Sequence, residues 1–314
     1  MRTKYGTKDQ YIGAVKCCQE SGIQVYADAV LNHRMAADDE EEFNATPSAP
    51  DNRYHVIGEK RRIRSWTSFT FPGRQGIYSG MEWHWWHFDA VDYNSWDPNF
   101  RAVWRIEGRE FDGNVDLEKG NYDYLMGCDL DIDNAEVRLE LKRWGEWMLE
   151  HVGVDGFRID AIKHISSNFF SDWIDHLEQQ QGRDLFVVGE YWTYNLATLR
   201  WYAANTNGRM HLFDAPLHLN FHSASKAGGT YDMRRILDGS LMQPIALLAV
   251  TLVENHDTQP LQALESVVED WFKPLAYAII LLRRRAIPAF STPTITAPAI
   301  ATRAGTATST TSAW

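Results

Sequence analysis

Four short apolar runs in this chain turn polar only where the chain leaves them. They are "IQVYADAVLN" (23–32), "VDGFRIDA" (154–161), "LFVVGEYW" (185–192) and "IALLAVTLVENHD" (245–257). Helical periods lie between and around them. A capping box, Thr7 with Gln10, opens a helix whose Ile12, Val15 and Cys18 share one face until Gly22 stops it. Val137, Leu141, Trp144 and Met148 mark a second helix. Phe170, Trp173, Ile174 and Leu177 mark a third, ending at Gly182, and a fourth spans about 195–204. A last one reads "WFKPLAYAIILLRR", with Pro274 in its first turn. Strands apolar through their length and alternating with amphipathic helices predict a parallel α/β sheet. Such sheets assemble their chemistry at the carboxyl ends of the strands. That rim would collect Asp28 to His33, Arg158 to His164, Glu190, and Glu254 to Asp257.

The second run contains a puzzle. In "GFRIDAIKH" (156–164), Arg158 and Asp160 sit two positions apart and so share one strand face, while Phe157 and Ile159 take the other. A buried charge is costly unless it is paired or serves chemistry. By itself the pair reads equally as a structural ion pair or as a reactive carboxylate with its partner.

Composition narrows the classes. A formal net charge of −11, with no dominant basic stripe and "KRRIR" (60–64) only a short local run, speaks against a nucleic-acid partner. The 13 Trp, 13 Tyr and 14 Phe suit stacking on sugars, and suit a core equally well. Cys17, Cys18 and Cys128 form no disulfide or metal pattern, and their odd number favours a reducing, cytoplasmic setting. No apolar run reaches membrane-spanning length, and no signal peptide follows Met1. A membrane partner is therefore not expected, and the chain reads as a monomer.

Regular alternation lapses between residues 34 and 123, which hold the acidic run Asp38 to Glu42 and the aromatic block "MEWHWWHFDAVDYNSW". This stretch is expected to be an inserted, loop-rich subdomain, most of its tryptophans packing and one or two stacking on sugar rings. Residues 1–33 and 124–285 would form the α/β part. Residues 286–314, dominated by Ala, Thr, Ser and Pro, resemble a low-complexity tail.

Four stretches, in order, resemble the conserved regions of the alpha-amylase family of glycoside hydrolases: "DAVLNH" (28–33), "GFRIDAIKH" (156–164), "GEYW" (189–192) and "ENHDTQP" (254–260). The flanking "NYDYLMGCDLDID" and "WFKPLAYAIILLR" are similar to the branch of bacterial liquefying and intracellular enzymes. The resemblance covers about residues 1–284 and implies a (β/α)8 TIM barrel with the subdomain inserted after its third strand. It also implies that the first two strands and the last are missing, and the tail reads as either a disordered segment or a reading-frame artefact. The activity implied is retaining hydrolysis of internal α-1,4-glucosidic bonds in starch- or glycogen-like polysaccharides. That chemistry needs a carboxylate nucleophile and a carboxylic acid about 5–5.5 Å apart.

By matched position Asp160 would be the nucleophile, with Arg158 keeping it ionised and oriented. Glu190 would be the proton donor, with a raised pKa beside Val188, Tyr191 and Trp192, and Asp257 the third carboxylate. His33 and His256 would bind the sugar in the cleavage subsite, and Lys163 with His164 the neighbouring sugar. A lone lysine or histidine also has an ordinary structural reading. Two alternatives stay open: a glucan-binding or inactive fragment lacking a complete barrel, and a transglycosylase of the same family.

Six aspartates, Asp112, Asp116, Asp123, Asp129, Asp131 and Asp133, offer hard oxygen ligands that suit Ca2+. "DLDID" opens like an EF-hand loop, but its sixth position is Asn134 rather than Gly, which removes that reading. The resemblance implies a calcium ion held by Asn32, Asp123, Asp129 and the carbonyl of His164, with Asp112 and Asp131 serving an additional metal. The alternative is a solvated acidic loop.

Overall fold

In the computed structural model, residues 2–74 and 76–291 are described, and they form two compact units, one up to Val187 and one from Val188. Among the described residues no helix is long and apolar enough to cross a membrane.

The first unit begins with the predicted capping box. Thr7 accepts the Gln10 backbone N–H at 3.2 Å, and the Gln10 side chain accepts that of Thr7 at 2.9 Å, which opens the helix Lys8–Glu20. The strand Tyr26–Ala29 lies parallel to Gly156–Ile159, with Asp28 opposite Arg158. Gly156 is required here: a Cβ would come within 2.1 Å of the Phe186 carbonyl oxygen. Asn134 caps the helix Ala135–Trp147, which continues as a π-turn, Met148–Val152, until Gly153 adopts the left-handed conformation. Against it packs the helix Ser167–Gln181, buried through Phe170, Trp173, Ile174 and Leu177 as the periodicity predicts. Trp173 donates its indole N–H to the Leu141 carbonyl at 3.0 Å.

The segment expected to be loop-rich does carry long loops, and it also contributes most of an antiparallel sheet. Seven strands pair antiparallel, led by Asp39–Ala49, which has Arg61–Ser68 on one side and Val103–Ile106 on the other. Charge hid the alternation. Glu40 and Glu42 reach diagonally across the sheet to Arg64 (2.9 Å) and Arg62 (3.0 Å). Glu41, between them, faces the other side and accepts from the Thr67 hydroxyl at 2.8 Å and the Trp85 N–H at 2.9 Å. The acidic run and "KRRIR" are therefore two strands of one ladder, each supplying the other's counterions. The aromatic block supplies Trp83 and Phe88 as fully buried side chains, while Trp86 and Trp96 remain exposed.

The second unit carries parallel pairings in register: Val188 with His211, Leu212 with Ala249, and Val250 with Ile287. The helices Leu196–Asn205, Ala215–Ala227 and Lys273–Leu282 intervene. Its core joins Leu217, Phe221, Val253, Phe272, Ala276 and Ile280. One expectation is corrected. Ile287–Ala289, assigned above to the tail, is a strand parallel to Ala249–Leu252, so a strand stands where the last one was expected to be missing. Pro288 is tolerable on a strand paired on one side, where no second ladder asks for its N–H. Phe290, stacked on Tyr277 with ring centres 5.0 Å apart, anchors the segment. The rest of the expected tail, residues 292–314, lies outside the described residues.

Candidate active site and metal centre

The Arg158–Asp160 puzzle has a geometric answer in the first unit. Parallel pairing sets Asp28 level with Arg158, whose Nη1 donates to Asp28 Oδ1 at 2.7 Å and to Asp160 Oδ1 at 2.8 Å. A guanidinium on a strand exit thus holds two carboxylates from two strands, with its charge satisfied on the spot. Directly after Asp160 the chain turns through Ala161 at φ 55°, a left-handed conformation that an alanine adopts at a cost of roughly 1–2 kcal/mol. Strain of this kind persists where the surroundings fix it. His33 lies close enough to Asp160 for the carboxylate to pull its pKa up, though burial pulls harder and leaves it lowered.

Lys163 is engaged within the same unit: its ammonium meets Glu118 at 2.7 Å and sits 4.8 Å above the Tyr122 ring. The imidazole of His164 is 4% exposed and bonds through Nδ1 to the Tyr122 carbonyl at 2.6 Å. Burial pushes that imidazole down to about 3, so it is neutral at ordinary pH.

In the second unit Glu190 directly follows the strand Phe186–Gly189 and is 5% exposed. Asn255 donates its amide N–H to Glu190 Oε1 at 3.1 Å. Asp257 is one-third exposed, and His256, 64% exposed, lies 3.6 Å from it. Sequence reasoning did not single out Asn255, although it stands inside "ENHDTQP".

The acidic cluster belongs to the first unit. Asp89, Asp123 and Asp129, all buried, bring ligand oxygens within 4.8 Å of one another. Both oxygens of Asp89, Asp112 Oδ2 and Asp129 Oδ2 have no hydrogen-bond donor. Burial and mutual repulsion raise Asp89 and Asp129 well above the carboxylate range, burial above all takes Asp123 to about 7, and both together take Asp112 to about 9. Beside them Asn32 Nδ2 lies 3.0 Å from Asp129 Oδ1, 3.2 Å from the His164 carbonyl and 3.5 Å from the Asp123 carbonyl. Rotating that amide by half a turn would present its oxygen to the same three. Orphaned carboxylate oxygens, carbonyls and an amide are the donor set of a hard cation, so these residues fit calcium.

Asp131, expected with Asp112 at an additional metal, pairs with Arg109, 2.8 Å from its Oδ2. Asp89, which sequence reasoning did not single out, joins Asp123 and Asp129. The missed signal was an aspartate inside "FDAV", a strand buried at all four positions.

Residues 1–267 match the family described as "Alpha amylase, catalytic domain". The chain is 50% identical over 293 residues to an alpha-amylase of Geobacillus stearothermophilus, covering 92% of this chain and 53% of that protein. It is 47% identical to a glucan 1,4-alpha-maltohexaosidase of Bacillus sp. (strain 707), covering 92% of this chain and 56% of that one. To the cytoplasmic alpha-amylase of Escherichia coli (strain K12) the identity is 43%, covering 91% and 58%. The chain therefore spans a little over half the length of these relatives. Among solved structures, the cyclomaltodextrin glucanotransferase CldA aligns with a TM-score of 0.59 at 20% identity, over 92% of this chain and 51% of that one. An Anoxybacillus alpha-amylase aligns at 0.55 and 18%, over 92% and 52%. At such identities the likeness is one of fold.

Proposed function

This chain belongs to the alpha-amylase catalytic-domain family, of TIM-barrel fold, and on that premise we propose that it hydrolyses internal α-1,4-glucosidic bonds of starch- or glycogen-like glucans with retention. Asp160 is the nucleophile that bonds to the anomeric carbon. Glu190 gives its proton to the departing glycosidic oxygen and then takes one from the water that releases the sugar. Asp257 supports the oxocarbenium-like charge. His33 and His256 bind the ring being cleaved. Lys163 and His164 serve its neighbour.

The observation that carries this reading is the guanidinium of Arg158 shared between Asp28 and Asp160, followed by the strained Ala161. Calcium would be held by Asp89, Asp123, Asp129, the Asn32 amide oxygen and the His164 carbonyl, with Asp112 adjoining. When bound, it neutralises the buried acids and so fixes the loop bearing Lys163 and His164. Free Cys17, Cys18 and Cys128 and the match to a cytoplasmic relative support a reducing compartment.

The test is Asp160→Asn assayed on soluble starch, with the anomeric form of new reducing ends followed by NMR. Turnover should fall by on the order of 10^4-fold or more, while affinity for maltoheptaose stays within a few-fold. Unchanged turnover would remove the assignment. Product chromatography separates hydrolysis from glucanosyl transfer, since water and a sugar hydroxyl attack the same intermediate.

A further inference from the structure

The turn after the strand Ala249–Leu252 is built around one side chain. Asn255 Oδ1 accepts the backbone N–H groups of Asp257 and Thr258, both at 3.0 Å. The Asn255 N–H in turn donates to the Thr258 hydroxyl at 3.0 Å, and that hydroxyl donates to the Asn255 carbonyl at 3.2 Å. Because its oxygen is committed to two N–H donors, the amide has a single orientation, with Nδ2 directed at Glu190 Oε1, 3.1 Å away. An Asx-turn needs only the oxygen. The amide nitrogen is surplus to the turn, and it is spent on a buried carboxyl group.

We propose that Asn255 is a positioning residue for the proton donor: it holds Glu190 Oε1 as an acceptor, so that the acid's hydrogen resides on Oε2, and it fixes the backbone of Asp257 in the same stroke. A neutral carboxyl group has one O–H and one C=O oxygen. Facing an N–H donor, Oε1 is favoured as the C=O oxygen, the stronger acceptor of the two. Glu190 is 5% exposed, so water is poorly placed to reset the choice. In the step this serves, the hydrogen on Oε2 passes to the glycosidic oxygen, which keeps the electron pair of the breaking C–O bond, while a carboxylate oxygen of Asp160 bonds to the anomeric carbon. The inference rests on the reading of Glu190 given above.

The variant Asn255→Asp keeps an oxygen for the turn and removes the amide donor. It should be compared with Glu190→Gln in the full chain, on maltoheptaose, whose leaving group needs the proton, and on α-maltotriosyl fluoride, whose leaving group needs it little. Mispositioning of the acid predicts that Asn255→Asp loses about 10–100-fold in kcat/KM on maltoheptaose and less than about threefold on the fluoride. Equal losses on both substrates, or none on either, would overturn the proposal. If Glu190→Gln shows no selective loss on maltoheptaose, the proton-donor assignment itself fails, whatever Asn255→Asp does. Should Asn255→Asp lack a cooperative thermal transition, Asn255→Ser, which retains an acceptor and also lacks the amide donor, is read on the same pair by the same criterion.

Discussion

Two groups of buried aspartates show opposite uses of the same side chain. In the second unit Asp214 is fully buried and accepts the backbone N–H of Leu217 at 3.2 Å, Leu241 at 2.9 Å and Met242 at 2.8 Å. In the first unit Asp89 is equally buried, and neither of its oxygens meets a donor. Burial raises both above the ordinary range. Three amides then hold Asp214 down, whereas four neighbouring carboxylates push Asp89 further up. A buried acid is thus not in itself a site. What separates architecture from a binding centre is whether the backbone has already supplied the donors. Asp214 caps a helix and ties down a loop, and asks for nothing from outside. The group around Asp89 is complete only with a cation or with shared protons, since a protonated Asp89 could donate to Asp123 and Asp129.

The comparison breaks first at Asp214. Asp214→Ala orphans three backbone N–H groups, each worth about 1–3 kcal/mol when left buried and unpaired. A loss on the order of 4 kcal/mol in urea-unfolding free energy is expected, with Asn at the same position losing less because one acceptor survives. A loss below about 1 kcal/mol would mean that water reaches those amides.

Metal removal is the next largest effect, and Asp89 gives it a sign. A cation present at about 1,000 times its Kd stabilises the fold by roughly 4 kcal/mol, so chelation should lower the thermal midpoint correspondingly. Asp89→Asn should reverse its rank with conditions: less stable than the parent chain with calcium, because a ligand is gone, and more stable in chelator, because one buried charge is gone. Calorimetry under both conditions reads the crossing. The same rank in both would favour shared protons over a cation.

These contrasts also explain what could be read from the chain before folding. The parallel strands were legible because a strand buried on both faces is apolar at successive positions, as at Val187 and Val188, and its polar residues mark the exit. The antiparallel sheet was hidden because Glu40 and Glu42 face arginines while Glu41 faces His84 and Trp85, so that charge falls on both faces and no period of two survives. Asp160, Glu190 and Asp257 stand in motifs of recognisable spacing. Asp89 does not: its role depends on residues 34 and 40 positions further on that only the fold brings beside it. Asp131 and Asp133 stand two positions apart in sequence, yet it is Arg109, distant along the chain, that pairs with Asp131. The two roles of Asn255 are likewise invisible until the turn and the strand end bearing Glu190 are seen together.

A third class of acid, paired and exposed, should be nearly silent. Glu42 and Arg62 form their 3.0 Å contact with side chains 43% and 65% exposed, where water screens the attraction and both side chains give up rotamer freedom. A double-mutant cycle with Glu42→Gln and Arg62→Gln should therefore return a coupling of about 0.2–1 kcal/mol, fading as salt rises towards 1 M. The strand would stay in register regardless, because Phe43 and Ile63, opposite each other and buried, fix which face turns inward. A coupling that persisted undiminished at high salt would place this pair with the buried acids, and would show the ladder to be holding the subdomain by charge instead of by its apolar face.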